Sequence, residues 1–154
     1  MNQQQIAGQY RQSAAQGAHP VGLVARLYEA VVEDLRRALA ALRAGDVEGR
    51  TRALNHALLI LAELESVLDH ERGGQVARHL SGFYRVTRAM IVDANIRASA
   101  AELERIVSLF LPVRAAWQQA ERELACGAPP LANPAHPGTR DPARAGSRGS
   151  SWSV

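Results

Sequence analysis

The 154-residue sequence has a single cysteine, no lysine and few aromatic residues, namely two Trp, three Tyr and two Phe. Because Cys126 is alone, an internal disulfide is excluded, and the count fits a reducing compartment. No stretch approaches the roughly 18 apolar residues that a membrane-spanning helix needs. The first residues, MNQQQIAGQYRQ, lack a basic start and an apolar segment, so we expect no secretory signal. These absences predict a soluble protein of the cytoplasm with no membrane insertion.

Basic charge is in modest excess, with a net charge of +3 that comes entirely from arginine. Between residues 1 and 125, fifteen Arg face fourteen Asp and Glu. A cluster of arginines surrounds the first predicted turn, with acidic residues interleaved, and comprises Arg36, Arg37, Arg43, Arg50 and Arg52. Nucleic-acid-binding proteins usually concentrate positive charge on one face. A solvated charged surface is therefore favoured over a phosphate-binding one.

Apolar residues recur at steps of three and four in four successive segments, which predicts four amphipathic helices. In the first segment, residues 19–42, Pro20 suits the first helical position because a missing N–H costs nothing there. Gly45 offers the left-handed conformation that ends a helix. Asp46 is predicted to cap the second helix through its carboxylate.

The later boundaries carry signals of their own. Gly73 and Gly74 are predicted to reverse the chain between the second and third helices. Ser99 and Glu102 match a capping box, in which each side chain bonds the backbone N–H of the other. Pro112 removes one hydrogen bond and crowds the preceding turn, at about 3 kcal/mol in a straight helix. We therefore expect a kink near residues 108–112.

Four helices joined by short turns predict an all-α fold, an antiparallel up-down four-helix bundle over residues 19–125. No segment alternates with period two, so no sheet is expected. Residues 1–18 are predicted to form a flexible N-terminal arm, with Ile6 and Tyr10 as its substantial apolar groups. Residues 126–154 are dense in Pro, Gly, Ser and Arg and are predicted to be a disordered tail, because they bury too little apolar surface.

Residue types that carry catalysis are present but not at useful spacings. The five histidines include no pair four residues apart, and a metal pair of His70 and His79 is conceivable but disfavoured. Paired glutamates lie two residues apart, which points their side chains different ways on a helix. Cys126 has no neighbouring His, and the glycines lack the context of a nucleotide-binding loop. We expect no enzymatic activity, cofactor, metal or small-molecule substrate.

Four aromatic residues and one amide remain open to two interpretations. Phe83 and Trp117 fall on the inward positions of their helices and are predicted to be core. Tyr28 and Tyr84 carry hydroxyls that need a partner when buried, so a core position and a groove edge are equally supported. Asn95 is either a cap near the end of its helix or a structural or binding residue.

Several stretches of the sequence match, in order, the motifs of one known protein family. Tyr10 stands where the family has a tyrosine in its N-terminal arm. AHPVGLVARLYEAVVEDLRRA, with the pair Leu27-Tyr28, is similar to the family's first helix. LDHERGGQVARHLSGFYRVTRAMIVDAN, which ends at Asn95, is similar to its second turn and third helix, and VRAAW to the close of the fourth. In these stretches the chain resembles the flagellar secretion chaperones of the FliS family, and the likeness covers about residues 6–117.

The resemblance implies a cytoplasmic export chaperone that holds the disordered C-terminal segment of flagellin in apolar grooves and prevents premature polymerisation. The resemblance also leaves open flagellar export gate components and other flagellar regulators as further partners. The second helix has apolar residues beyond a simple seam, which suits a groove. The candidate partner-binding residues are Ile6, Tyr10, Leu27, Tyr28, Leu58, Leu59, Tyr84 and Asn95. The alternative is a basic helical module acting on nucleic acid or in regulation.

Overall fold

The computed structural model describes residues 20–127 and folds them into four helices joined by short turns. The helices are α1 (Pro20–Arg43), α2 (Val47–Ser66), α3 (His70–Arg97) and α4 (Ala100–Ala125). This part of the chain contains no strand. Helix α1 packs closely against both α2 and α4, and α3 completes the ring with looser contacts to the same two helices. The all-α four-helix bundle is thus confirmed, while the predicted arm and nearly all of the tail lie outside the described residues.

The hairpin of α1 and α2 carries the turn and capping signals that the sequence predicts. Pro20 is the first residue of α1, and Gly45 takes a φ of 72° in the turn after it. Asp46 caps α2, because its carboxylate accepts a hydrogen bond from the Gly49 N–H at 2.8 Å. Local capping chemistry therefore sets the α1–α2 hairpin.

The junction of α3 and α4 realises half of the predicted capping box. The Ser99 hydroxyl accepts a hydrogen bond from the Glu102 N–H at 3.2 Å. The Ser99 N–H donates instead to the Ala94 carbonyl at 3.1 Å and not to the Glu102 carboxylate, as the capping box would require. Before it, Ala98 ends α3 in the left-handed conformation, with φ 50° and ψ 46°.

Replacing Ala98 by glycine is expected to stabilise the bundle. A side chain with a Cβ is disfavoured in the left-handed region by about 1 kcal/mol, which glycine avoids. We expect Ala98→Gly to raise the free energy of unfolding by about 0.5–1 kcal/mol in chemical denaturation. The matched control is Ala40→Gly at an exposed position inside α1, which should lower it by a similar amount. Equal losses in both variants would contradict the left-handed cap.

The turn between α2 and α3 lies before the predicted glycines. Helix α2 ends at Ser66, and Asp69 caps a helix that begins with the next residue, accepting two backbone N–H groups at 3.0 and 2.9 Å. The predicted glycines thus follow a single helical turn that Asp69 caps, and the helical geometry breaks at Gly74, where the sequence predicts a change of direction. Gly74 takes φ 48° and ψ −122° and redirects the chain after a single helical turn.

Pro112 lies exposed in the middle of α4, and the helix continues on both sides of it. Because proline has no N–H, the carbonyl of Ser108 loses its usual intrahelical donor. The Ser108 hydroxyl donates to the Glu104 carbonyl at 3.0 Å. The proline does not end the helix, and a bend at this point stays a prediction.

The core contains a cluster of aromatic rings from three helices. Phe110 of α4 is buried, with its ring centroid 6.0 Å from that of Tyr28 and 5.0 Å from that of Phe83. Phe83 and Trp117, predicted to be core, are partly buried and pack against this cluster. The edge-to-face geometry between Phe83 and Phe110 is one that aromatic pairs favour.

Candidate partner-binding surface

Tyr28 and Tyr84 meet inside the bundle. Both side chains are buried, and their hydroxyl oxygens lie 2.7 Å apart in a hydrogen bond between α1 and α3. Burial raises the pKa of both phenols above the ordinary value. This hydrogen bond gives each buried hydroxyl oxygen a partner inside the bundle. The structure therefore places both tyrosines in the core and not at a groove edge, although Tyr84 forms part of the floor of the pocket described next.

An apolar depression, which we call the end pocket, opens where α2 passes into α3. It has a volume of about 240 Å³. Its apolar lining comes from all four helices and comprises Val24, Leu64, Val67, Leu68, Val76, Ala77, Leu80, Tyr84 and Trp117. Val76 at its rim is 66% exposed. Helix α1 begins at Pro20, just before Val24, so the described chain starts beside this pocket.

A second depression, which we call the α3 groove, lies between α2 and α3 towards the C-terminal end of α3. It has a volume of about 650 Å³ and is lined by Leu58, Arg85, Arg88, Ala89, Val92, Asp93 and Ile96. Val92 is 46% exposed and Ile96 is 79% exposed. Large apolar side chains exposed side by side in a groove are typical of a binding surface.

A polar bridge separates the two depressions. The Glu65 carboxylate of α2 accepts a hydrogen bond from the Ser81 hydroxyl at 3.2 Å and from the Arg88 guanidinium at 3.0 Å. Glu65 follows Leu64 of the end pocket, and Arg88 itself lines the α3 groove. The α2–α3 side of the bundle is therefore apolar, then polar, then apolar along its length.

The leucines predicted to bind a partner do not share one surface. Leu58 lines the α3 groove, whereas Leu59 lines a pocket between α1 and α2. Leu27 is partly buried and packs against the core. Adjacent residues on a helix point about 100° apart, so Leu58 and Leu59 open on different sides of α2. Ile6 and Tyr10 lie outside the described residues.

Asn95 connects two helices. Its side-chain oxygen accepts a hydrogen bond from Nε of Arg50 at 3.0 Å, which joins the start of α2 to the end of α3. The residue that ends α3 is Ala98, so the Asn95 side chain is not the cap of this helix. In this structure Asn95 is a partly buried interhelical contact.

A buried carboxylate that the sequence analysis did not single out lies between α1 and α2. The Asp34 side chain is 3% exposed; it accepts a hydrogen bond from Nδ1–H of His56 and another from Arg37 at 3.1 Å. Burial raises the pKa of Asp34 above its ordinary value, and the hydrogen bond and charge of His56 and the charge of Arg37 oppose this shift. The only sequence signal was an acidic residue directly before the inward-facing Leu35.

The arginines near the first turn are mostly engaged with acidic residues. Arg37 lies 2.7 Å from Glu33, and Arg43 and Arg52 pair with Glu104 and Glu48. Such exposed pairs contribute little to stability. They do show that positive charge here is interleaved with negative charge and does not form a continuous basic face.

Residues 20–127 contain no group of three His, Cys, Asp or Glu side chains that could hold a metal ion. None of the helices described is long and apolar enough to cross a membrane. A helical bundle with two open depressions on one side has the architecture that helix-in-groove binding of other polypeptides uses.

Comparison with known proteins agrees with this architecture. The family model for the flagellar protein FliS matches residues 2–124. The flagellar secretion chaperone FliS of Salmonella typhimurium is 33% identical over 109 residues, which are 70% of this chain and 81% of that protein. FliS of Campylobacter jejuni is 30% identical over 110 residues, or 71% of this chain and 86% of that protein.

The chain therefore belongs to the FliS family of flagellar secretion chaperones. Its role is that of a chaperone in flagellar export and not that of an enzyme. The family resemblance read from the sequence motifs is confirmed, and a protein is the kind of partner that this role requires.

Proposed function

We propose that this chaperone works in the cytoplasm and binds the C-terminal segment of flagellin, holding it from premature polymerisation until export. The observation that carries the proposal is the pair of apolar depressions on the α2–α3 side, divided by the Glu65–Arg88 bridge. Flagellar export gate components and other flagellar regulators are further partners of this role, and we assign them no surface.

The dimensions of this side suit a guest of two short helices. From Val76 to Ile96 the helix α3 extends about 30 Å, at about 1.5 Å per residue. In this proposal each depression receives apolar side chains from one short amphipathic helix of the guest, and polar residues of the guest cross the Glu65–Arg88 bridge between them. A flexible guest that spreads its contacts over such a path offsets the entropy that it loses on ordering.

The N-terminal arm is part of the proposal. Ile6 and Tyr10 are four residues apart, which places them on one face of a helix. The described chain begins at Pro20 beside the end pocket, and ten residues span up to about 33 Å. Ile6 and Tyr10 can therefore reach the end pocket and cover it until flagellin displaces them.

The binding surface can be tested by calorimetry with a peptide of about the last forty residues of flagellin from the same cell. We expect heat and induced helicity at micromolar concentration with the wild-type chain. Val76→Asp at the end pocket and Val92→Asp in the α3 groove should each weaken binding by about tenfold or more, because a carboxylate is costly to bury. The control is Val86→Asp, since Val86 is 59% exposed on α3 but lines neither depression.

Three outcomes of this titration would count against the proposal. Absence of heat and helicity would reject the client, and equal losses in Val86→Asp and Val92→Asp would reject the surface. A loss of affinity by orders of magnitude between low and moderate salt would favour phosphate contacts and the nucleic-acid alternative.

Deleting residues 1–18 should leave binding unchanged or tighter, and a large loss of affinity would show that the arm contacts the client.

A further inference from the structure

The α3 groove has an apolar end and a basic end. Val92 and Ile96 line it towards the C-terminus of α3, and Arg85 and Arg88 line it towards the middle of the helix. Arg85 stands seven residues before Val92 and eleven before Ile96, or about 10.5 and 16.5 Å along the axis. These spacings are about two and three helical turns, so the three side chains lie on one face of α3. A helix bound along this groove therefore meets both ends.

The charges that surround the groove leave one arginine without a counterpart. The Arg88 guanidinium donates a hydrogen bond to the Glu65 carboxylate of α2 at 3.0 Å. The Asp93 carboxylate accepts a hydrogen bond from Arg97 at 2.9 Å. The Arg85 side chain is exposed and forms no hydrogen bond or ion pair with the rest of the described chain. Each carboxylate of the groove thus has its own arginine, and the positive charge of Arg85 is uncompensated.

We propose that the guest helix in the α3 groove carries an acidic residue that pairs with Arg85, and that this pair selects the client segment and its register. The pair rests on the proposed function, because the guest is the flagellin segment. A guest helix that runs along α3 rises by the same 1.5 Å per residue. Its aspartate or glutamate therefore stands about seven residues from the apolar residue over Val92 and about eleven from the one over Ile96.

The position of Arg85 makes the pair a source of specificity. A bound helix removes water from part of the groove, so charges that meet there interact more strongly than they do in bulk water. A guest with a lysine at this point is repelled, and like charges in an interface are an effective way to reject a wrong partner. The planar guanidinium also presents its N–H donors in a fork that matches a carboxylate. Because Arg88 already has Glu65, the guest carboxylate pairs with Arg85 and leaves the bridge intact.

Calorimetry with the forty-residue flagellin peptide tests the role of Arg85. We expect Arg85→Glu to weaken binding about tenfold, because reversing the charge replaces attraction with repulsion in a partly desolvated groove. The matched control is Arg36→Glu, which reverses an exposed arginine on α1 that lines neither depression. Its affinity should stay within about twofold of the wild-type value, since isolated surface charges contribute little. Circular dichroism checks that both variants keep the helical fold.

Charge exchange identifies the acidic residue of the guest. Each Asp and Glu of the peptide is replaced in turn by Lys, and every variant is titrated against the wild-type chain and Arg85→Glu. One replacement should weaken binding to the wild type about tenfold and restore binding to Arg85→Glu to within about threefold of the original pair, as coupled residues do. The residue so identified should stand about seven residues from an apolar residue of the peptide.

The outcomes separate this pair from the proposed function. If Val92→Asp weakens peptide binding but Arg85→Glu binds as tightly as Arg36→Glu, the acidic pair is overturned and the client surface stands. The pair is also overturned if no lysine replacement restores binding to Arg85→Glu. A peptide that binds neither the wild-type chain nor any variant rejects the client, and the pair with Arg85 is rejected with it.

Discussion

Replacing Phe110 by alanine is expected to lower the free energy of unfolding by about 3–5 kcal/mol, the usual cost of deleting a buried phenylalanine side chain. Phe110 is fully buried and touches Tyr28 of α1 and Phe83 of α3. Its loss leaves a cavity where three helices meet, and the rings around it lose their edge contacts as well. Urea denaturation followed by circular dichroism measures the change.

The neighbouring Leu109 supplies the control for this substitution. Leu109 is 38% exposed, so Leu109→Ala removes less buried surface and should cost about 1 kcal/mol. Both variants keep a good helix former in α4, so a difference between them reports packing and not helix propensity. Comparable losses at the two positions would show that Phe110 is not the central contact of the core.

Replacing His56 by alanine is expected to cost about 3 kcal/mol at neutral pH, because it leaves the buried carboxylate of Asp34 with fewer partners. The Asp34 carboxylate then keeps only its contact with Arg37, on an exposed side chain of the same helix. Thermal or chemical denaturation at neutral pH measures the loss. This is the largest effect that we expect from any side chain with access to solvent.

The pH dependence of the same site has a definite sign. Burial is the main cause that raises the pKa of Asp34 above 3.8, so the folded state holds this proton more tightly than the unfolded state. The site therefore contributes stability that is present below about pH 4 and lost as the pH rises through the raised pKa. The deficit of His56→Ala relative to wild type should shrink as the pH is lowered towards that range.

Asp34→Asn is the matched variant, because it removes the buried charge and keeps the volume. At neutral pH we expect its free energy of unfolding to lie between the wild-type value and about 1 kcal/mol above it. Uncharged replacements of buried ion pairs are often neutral or stabilising. Combining Asp34→Asn with His56→Ala should cost less than His56→Ala alone. A large loss in Asp34→Asn would mean that the ionised pair stabilises the bundle.

Local signals in the sequence were enough to predict the architecture. Gly45, Asp46 and Ser99 determine where helices begin and end through backbone groups only a few residues away. Apolar spacing then identified inward positions, including those of Phe83 and Trp117. Between α2 and α3 the sequence analysis missed one short element, because Asp69 caps a single helical turn before Gly74 breaks the helical geometry.

The surface was harder to predict because it depends on distances between helices. Periodicity could not show that Leu58 and Leu59 open on different sides of α2, or that Tyr28 and Tyr84 satisfy each other across the bundle. The Asp34–His56 contact joins residues 22 positions apart and was not foreseen for the same reason. The groove edges follow from how loosely α3 packs, which no single helix encodes.

The pairing of α1 with α4 has a consequence for synthesis on the ribosome. Helix α1 leaves the ribosome before the other three helices of residues 20–127, yet its Tyr28 side chain is covered by Phe110 of α4. The nascent chain can close the α1–α2 hairpin early through local contacts, but its hydrophobic interior stays open until α4 has left the exit tunnel. A ribosome that stalls before α4 would thus release a three-helix fragment with exposed apolar core residues. We expect quality-control proteases to remove this aggregation-prone fragment.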